Sequence, residues 1–408
     1  MSLNSTPSGE RIHIGIFGRR NAGKSSLINA LASQSLAIVS DYKGTTTDPV
    51  YKAMELLPLG PVMMIDTPGI DDEGELGQLR ISKAYQVLNK TDIALLVIDS
   101  KSGLCDEDIK LWQHIQSKKI PALLVFNKKE MLSEMEQALL TAAALKLTKN
   151  CFFVSAANNT NIFELKEAIA SLAPKDKENP LVNDILAAGD VVVIVTPIDS
   201  AAPKGRLILP QQQVLRNIID KGAIAVVTRE TELQETLDKL YSPPRLVITD
   251  SQVFGLVNKI LSPNIPLTSF SILMARYKGN LYDAVHGVRQ LDNIKSGDKI
   301  LISEGCTHHR QCGDIGTVKL PTWIRSYTKS EPFFEFTSGT EFPTDLSSYK
   351  LIIHCGACIL NEREIHHRYH NAVEQQIPIT NYGIAIAYMN GILKRTVEPL
   401  PEINGLLK

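Results

Sequence analysis

The 408-residue sequence predicts an α/β chain of three segments, and three observations carry that expectation. Short apolar, β-branched runs alternate with amphipathic stretches along most of the chain, the rhythm of parallel strands joined by helices. The rhythm is interrupted by Pro174-Lys175-Asp176-Lys177-Glu178-Asn179-Pro180, whose composition is that of a linker. Four of the six cysteines (Cys306, Cys312, Cys355 and Cys358) and most of the nine histidines fall in the last part of the chain. The segments are set at 1–173, 181–265 and 266–408.

Composition excludes several classes. Hydrophobic residues make up 44% and charged residues 21%, the profile of a soluble globular protein. Lys+Arg is 43 and Asp+Glu 44, so a net charge of -1 gives no overall pull toward nucleic acid or an anionic membrane. No apolar run reaches the roughly 18–20 residues that span a bilayer. The polar N-terminus lacks the plan of a secretion signal, so a cytoplasmic location and no membrane partner are expected. Six cysteines are too few for a disulfide framework, and a cluster of them in a reducing compartment points to a metal or redox site.

In the first segment IHIGIF, VMMID, IALLVID, ALLVFN and CFFVSA read as buried strands. SLINALA, RISKAYQVL, EDIKLWQHIQ and NIFELKEAIASL read as helices between them. Between the first strand and first helix, Gly18-Arg19-Arg20-Asn21-Ala22-Gly23-Lys24-Ser25 fits GxxxxGK[ST] in the context the motif requires. Its backbone N–H groups and the helix N-terminus would hold phosphate oxygens, Lys24 would place a charge on them, and Ser25 would complete a Mg²⁺ shell. Ser26 follows on the same helix. Downstream, Gly44-Thr45-Thr46-Thr47-Asp48 offers a hydroxyl to Mg²⁺. Asp66-Thr67-Pro68-Gly69 ends a strand, with Asp66 reaching Mg²⁺ through water and the Gly69 N–H facing a terminal phosphate. Asn127-Lys128-Lys129-Glu130 and Ser155-Ala156-Ala157 end two further strands, where base-reading loops would reach a guanine. Each string is weak alone; five in order, each at a strand end, are strong.

Through GRRNAGKSSLINAL, GTTTD, DTPG, NKKE and SAA, the first 170 or so residues resemble the TrmE–Era group of GTPases. The resemblance implies GTP as ligand, Thr46 as the Mg²⁺ ligand, and K⁺ as an activating ion held by Asn21 and Thr45. Two departures stand out. Glu130 replaces the aspartate of NKxD, so a weaker guanine preference is expected. Ile70 stands where Ras-like enzymes carry a water-orienting Gln, so slow hydrolysis is expected, with Glu73 or Glu75 as candidates to position water.

The second segment repeats the α/β rhythm with VVVIVTP, AIAVVT and RLVITD as strands and QQQVLRNIID, ELQETLDKL and QVFGLVNKIL as helices. It carries no phosphate loop, which suits docking or dimerisation. The loop Ala201-Ala202-Pro203-Lys204-Gly205-Arg206 reads as a turn or a partner contact. In the third segment KILIS and YKLIIH lead into Cys306-Thr307-His308 and His354-Cys355-Gly356-Ala357-Cys358, so each cysteine group sits where a strand ends. Two chemistries remain open on residue types alone: a closed tetrahedral zinc site, or an iron–sulfur cluster with three thiolates and an exchangeable fourth position.

The combination of a K⁺-type GTPase domain, a small α/β domain and CTHH with HCGAC resembles the HydF family, scaffold GTPases of FeFe-hydrogenase maturation. The resemblance implies that Cys306, Cys355 and Cys358 bind a 4Fe–4S cluster, with His308, His354 or Glu304 as a labile fourth contact. It implies receipt of a transient diiron precursor from radical-SAM maturases, delivery to apo FeFe-hydrogenase, and a homodimer through the middle domain. The competing expectations are an RNA-associated Era-like GTPase and a GTPase switch with a structural zinc.

Overall fold

The computed structural model describes residues 6–33, 38–42, 48–70, 74–173, 179–198, 207–305, 314–339 and 341–403. They form two compact units, divided between Lys177 and Glu178.

The first unit runs β1 (Ile12–Phe17), α1 (Lys24–Ser33), β2 (Ile38–Tyr42), β3 (Val50–Leu56), β4 (Gly60–Asp66) and α2 (Gly74–Leu88). It continues with β5 (Ile93–Asp99), α3 (Asp106–Ser117), β6 (Ala122–Asn127), α4 (Glu134–Leu145), β7 (Cys151–Phe153) and α5 (Ile162–Ser171). All seven strands join one sheet in the order β2-β3-β4-β1-β5-β6-β7. The expected parallel ladder covers β4 to β7, while β2 and β3 add an antiparallel edge. The reason is local: β3 and β4 are joined by only three residues, too few for the crossover that a parallel pair needs. Along β5, Ile93, Leu95 and Val97 enter the core under α1 and α5, and Ala94, Leu96 and Ile98 enter the core under α2 and α3. A strand covered on both faces has no polar alternation, which is why IALLVID is continuous. The loop after β1 lies at the topological switch point, between β4 and β5, where open α/β sheets bind ligands.

The second unit begins with β8 (Val191–Val195), α6 (Leu209–Asp220), β9 (Ile224–Thr228), α7 (Leu233–Asp238), β10 (Leu246–Thr249), α8 (Phe254–Ile260) and β11 (Leu267–Ser269). These strands form a parallel sheet ordered β11-β10-β8-β9. Next come α9 (Phe270–Tyr277), α10 (Leu281–Gly287), β12 (Lys299–Glu304), α11 (Leu320–Thr328), β13 (Phe333–Ser338), β14 (Leu351–His354), α12 (Glu362–Glu374), β15 (Ile379–Asn381), α13 (Tyr382–Met389) and α14 (Leu393–Val397). The last four strands make a second parallel sheet, β13-β12-β14-β15. The two sheets share one continuous hydrophobic core. The middle segment therefore extends past residue 265: β11 pairs with β10, and its three residues, LTS, merge into the apolar start of α9 and carry no strand pattern of their own. No helix among the described residues is long and apolar enough to cross a membrane.

Candidate functional site

The phosphate loop is shaped by positions where a side chain has no room. Gly18 has φ +141°, and a Cβ there would lie 2.1 Å from the Val97 carbonyl oxygen. Gly23 has φ +89°, and a Cβ there would lie 2.2 Å from Asn127 Nδ2. Asn21 takes the left-handed conformation, which Asn tolerates well, and is exposed at the rim. Lys24 is buried, and its ammonium donates to the Gly18 and Arg19 carbonyls at 2.8 and 2.9 Å. The loop is tied from outside as well: Arg19 Nη2 donates to the Gly103 carbonyl at 2.7 Å, and its Nε lies 3.3 Å from the buried Asp108 carboxylate.

The other motif residues converge on this loop. Ser25 Oγ donates to Asp66 Oδ2 at 2.6 Å, bringing the two expected Mg²⁺-site groups together across 41 residues of chain. Thr67 is locked to the end of β1 by its backbone N–H and its hydroxyl, both on the Ile16 carbonyl. Asn127, 2% exposed, ties the phosphate loop to the Ser155-Ala156-Ala157 loop: Nδ2 donates to the Ala22 carbonyl at 3.1 Å and more weakly to Gly23 at 3.5 Å, and Oδ1 accepts from the Ala156 N–H at 3.0 Å. The buried Ser155 holds its own loop by accepting from the Asn158 N–H, with Ala157 in the turn between. Lys128, also left-handed, donates to Asp99 Oδ2 at 2.6 Å. Burial works to raise the Asp99 carboxyl, but the Lys128 bond and charge, with the Lys101 N–H, outweigh it and hold it below its ordinary value. Asp99 and Arg19 carry no signal in the sequence beyond lying at strand ends. Glu130 is exposed, and so is Ser26. Lys83 of α2 pairs with Asp48, linking the helix after DTPG to the end of GTTTD. Thr45, Thr46 and Glu73, and the side chain of Glu75, lie outside the described residues.

In the second unit, Cys355 follows the end of β14 and Gly305 follows the end of the adjacent β12. The Cys355 sulfur accepts from the Gly305 N–H at 3.0 Å and the Ala357 N–H at 3.4 Å. Ala357 turns back in the left-handed region, which curls the C-G-A-C segment around its sulfurs. Burial pushes both thiols up, Cys358 to about 11, with the neighbouring Cys355 adding to the effect. Glu304, 5% exposed, accepts from the Tyr382 hydroxyl at 3.3 Å, and both groups act electrostatically with Cys355. Gly316 closes over them, since a Cβ there would lie 2.4 Å from Glu304 Oε1 and from the Tyr382 oxygen. α9, α12 and α13 all begin around this site and are capped by Ser269, Asn361 and Asn381.

His354 corrects one expectation. It is fully buried, and both ring nitrogens are engaged away from the cysteines: Nδ1 donates to the Cys355 carbonyl at 2.9 Å, and Nε2 accepts from Arg368 at 3.0 Å. Burial and the Arg368 charge push its pKa down to about 3. A neutral imidazole with both nitrogens committed has none to offer a metal. Cys306, His308 and Cys312 lie outside the described residues, as does 201–206. Among the described residues no group of three or more His, Cys, Asp or Glu is gathered for a metal. The donor chemistry of Cys355 and Cys358 suits a soft metal or an iron–sulfur cluster: two sulfurs on one turn, one already accepting two backbone N–H bonds.

This fold and loop set define a P-loop GTPase unit followed by a second α/β unit with a cysteine site. The GTPase family model described as "50S ribosome-binding GTPase" matches residues 13–128. Curated relatives are GTPases too. GTPase Era of Carboxydothermus hydrogenoformans is 31% identical over 166 residues, 40% of this chain and 55% of the relative. The tRNA modification GTPase MnmE of Helicobacter pylori is 31% identical over 234 residues, 56% of this chain and 50% of the relative. The chain thus spans about half the length of the curated relatives it matches. Among solved structures, an Era variant of Aquifex aeolicus bound to GDP·AlF4⁻ aligns at 20% identity and a TM-score of 0.35, covering 53% of this chain and 92% of that one.

The second unit gives the family. Residues 181–279 match the hydrogen maturase F dimerization domain and residues 282–399 the hydrogen maturase F tetramerization domain. Together these two models span more than half of the chain, which belongs to the hydrogen maturase F (HydF) family.

Proposed function

We propose that this chain is a GTP-hydrolysing scaffold of FeFe-hydrogenase maturation, which binds a 4Fe–4S cluster, accepts a diiron precursor and hands it to the apo-hydrogenase. One observation carries the reading: a phosphate loop built for nucleotide and a half-buried, N–H-bonded CxxC turn stand in one chain whose second unit matches two hydrogen maturase F domains. Ser25 and Thr46 hold Mg²⁺, Lys24 and the Gly69 N–H hold the γ-phosphate, and Asn21 and Thr45 hold K⁺. Asn127, Lys128, Glu130 and Ala156 receive the guanine. Cys306 joins Cys355 and Cys358 as the third sulfur ligand. With His354 committed elsewhere, the weak fourth contact is His308 or Glu304, the latter a buried carboxylate beside Cys355. A weakly held corner lets a bridging ligand exchange without breaking three thiolate bonds.

Hydrolysis is slow, K⁺-dependent and serves as a switch through 41–50 and 69–80. The partners are radical-SAM maturases and apo-hydrogenase in the cytoplasm. A second copy pairs along β9, an edge strand whose Ile224 and Val227 are 54% and 46% exposed. The test is transfer. Chain co-produced with the maturases should carry CO and CN⁻ infrared bands and activate apo-hydrogenase. Loss of the bands without any gain of hydrogenase activity would reject the carrier role.

A further inference from the structure

We infer that Arg368 is a positioning residue for the cysteine site, acting through His354 and the ends of three strands to hold the Cys355–Cys358 turn in place. The inference rests on the reading of those cysteines as metal-binding thiolates. Arg368 lies on α12 and is fully buried. A guanidinium has five N–H donors in a fixed fork, and all five are used. Nε and Nη2 donate to Glu364 Oε1 at 2.9 and 2.8 Å, and Nη2 also donates to the Gly339 carbonyl at 2.8 Å. Nη1 donates to His354 Nε2 at 3.0 Å and to Ser303 Oγ at 3.3 Å.

Three of these partners mark the ends of β12, β13 and β14: Ser303 and His354 lie within β12 and β14, and Gly339 directly follows β13. Ser303 and His354 continue to the site. The Ser303 carbonyl accepts the Cys355 N–H at 2.9 Å. Gly305, two residues on, donates to the Cys355 sulfur. Because arginine can only donate, Nε2 of His354 must accept, which leaves the proton on Nδ1 for the Cys355 carbonyl. One cation thereby sets an imidazole tautomer, a backbone carbonyl and the register of the strand that supplies a sulfur N–H bond.

A stability role alone would not select this arrangement. The Arg368–Glu364 pair is almost wholly withdrawn from water, and such pairs repay their desolvation poorly compared with apolar packing. A five-donor fork is needed where several acceptors must be held in one geometry, and lysine cannot copy it.

The full-length chain and its R368K, H354N and H354L variants are reconstituted anaerobically with iron and sulfide. Iron release to a chelator and the EPR spectrum of the reduced cluster are then recorded. GTP hydrolysis and thermal melting check each preparation for folding. R368K should release iron about tenfold faster, the order seen when a hydrogen-bond partner behind a metal ligand is removed, and should shift the EPR g-values. H354N keeps a donor for the Cys355 carbonyl but offers Arg368 no acceptor in place of Nε2, so its rate should fall between native and H354L, while H354L should follow R368K. Native release and native g-values in R368K overturn the inference, as does native release in H354N or equal behaviour of H354N and H354L. If R368K does not fold, the two His354 variants decide. A parent chain that holds zinc and no iron defeats the cluster reading but not this one, and the same ranking is then expected for zinc release. A parent chain holding neither metal overturns both.

Discussion

Asn127→Ala is the substitution that most directly probes how the nucleotide site is held open. The native amide makes two firm hydrogen bonds, to the Ala22 carbonyl at 3.1 Å and from the Ala156 N–H at 3.0 Å, and a weaker one to the Gly23 carbonyl at 3.5 Å. It thus keeps the phosphate loop, the Asn127-Lys128-Lys129-Glu130 segment and the Ser155-Ala156-Ala157 loop in register. Without it, binding has to order three loops at once, a cost that falls on affinity. At about 1 kcal/mol net per bond the loss is about 2–3 kcal/mol, or about 30- to 150-fold in Kd. Asn127→Asp should be no milder, since it keeps an acceptor for Ala156 but turns a second acceptor toward two carbonyls. The assay is a fluorescence titration with a mant-labelled guanine nucleotide, run beside a thermal melt of the same protein. A folded Asn127→Ala protein with affinity within about threefold of native would refute the reasoning, because the amide would then not be what sets the loops.

Four further outcomes are expected. Lys24→Ala should abolish GTP hydrolysis and leave bound iron unchanged, while Cys355→Ala should do the reverse; either change removing both properties from folded protein would contradict two separate sites. Glu130→Asp shortens the carboxylate by one methylene toward the guanine N–H pair and should raise the GTP-over-ATP preference by about tenfold, read by competition titration, and an unchanged ratio would count against Glu130 as a base contact. Ile224→Lys with Val227→Lys places two charges on the β9 edge and should halve the sedimentation mass; an unaltered mass would put the interface elsewhere. Glu136 caps α4 by accepting the Ser133 N–H and also pairs with Lys101, which together bring its pKa down to about 2 from 4.5. Its folded-state pKa is depressed, so its stabilisation is full above pH 4.5 and is lost as pH falls toward 2. The melting-temperature gap between native and Glu136→Gln protein should close over that interval, and a constant gap would show that the cap is not electrostatic.

The first unit was largely legible because its strands are continuous apolar runs, each ending in a motif that chemistry constrains. β5 is the clearest case: both faces are covered, so no polar residue interrupts it. The antiparallel edge was not visible, since β3, VYKAMEL, mixes polar and apolar residues as a half-covered strand does. α4 was missed for a similar reason. Its exposed Met135, Leu139 and Leu145 blur the stripe, and Ala144 is its only buried residue. In the second unit β11 and β15 are three residues long and carry no period at all.

At the cysteine site the sulfurs stood out as a spacing, but their supports did not. His354 looked like a ligand by adjacency, although successive residues at a strand end face opposite ways. Arg368 and Glu364 are spaced i,i+4 on a helix, a pattern that ordinarily marks a solvated pair; only the packing of β12, β13 and β14 around them reveals a buried fork.

The most direct measurement is iron and acid-labile sulfide, counted per chain with zinc alongside, in protein reconstituted without oxygen and compared with its Cys355→Ala variant. A brown protein with about four irons and four sulfides per chain, the composition of one 4Fe–4S cluster, is expected, with loss of both in the variant. A colourless chain carrying one tightly held zinc would contradict it and leave a GTPase with a structural metal.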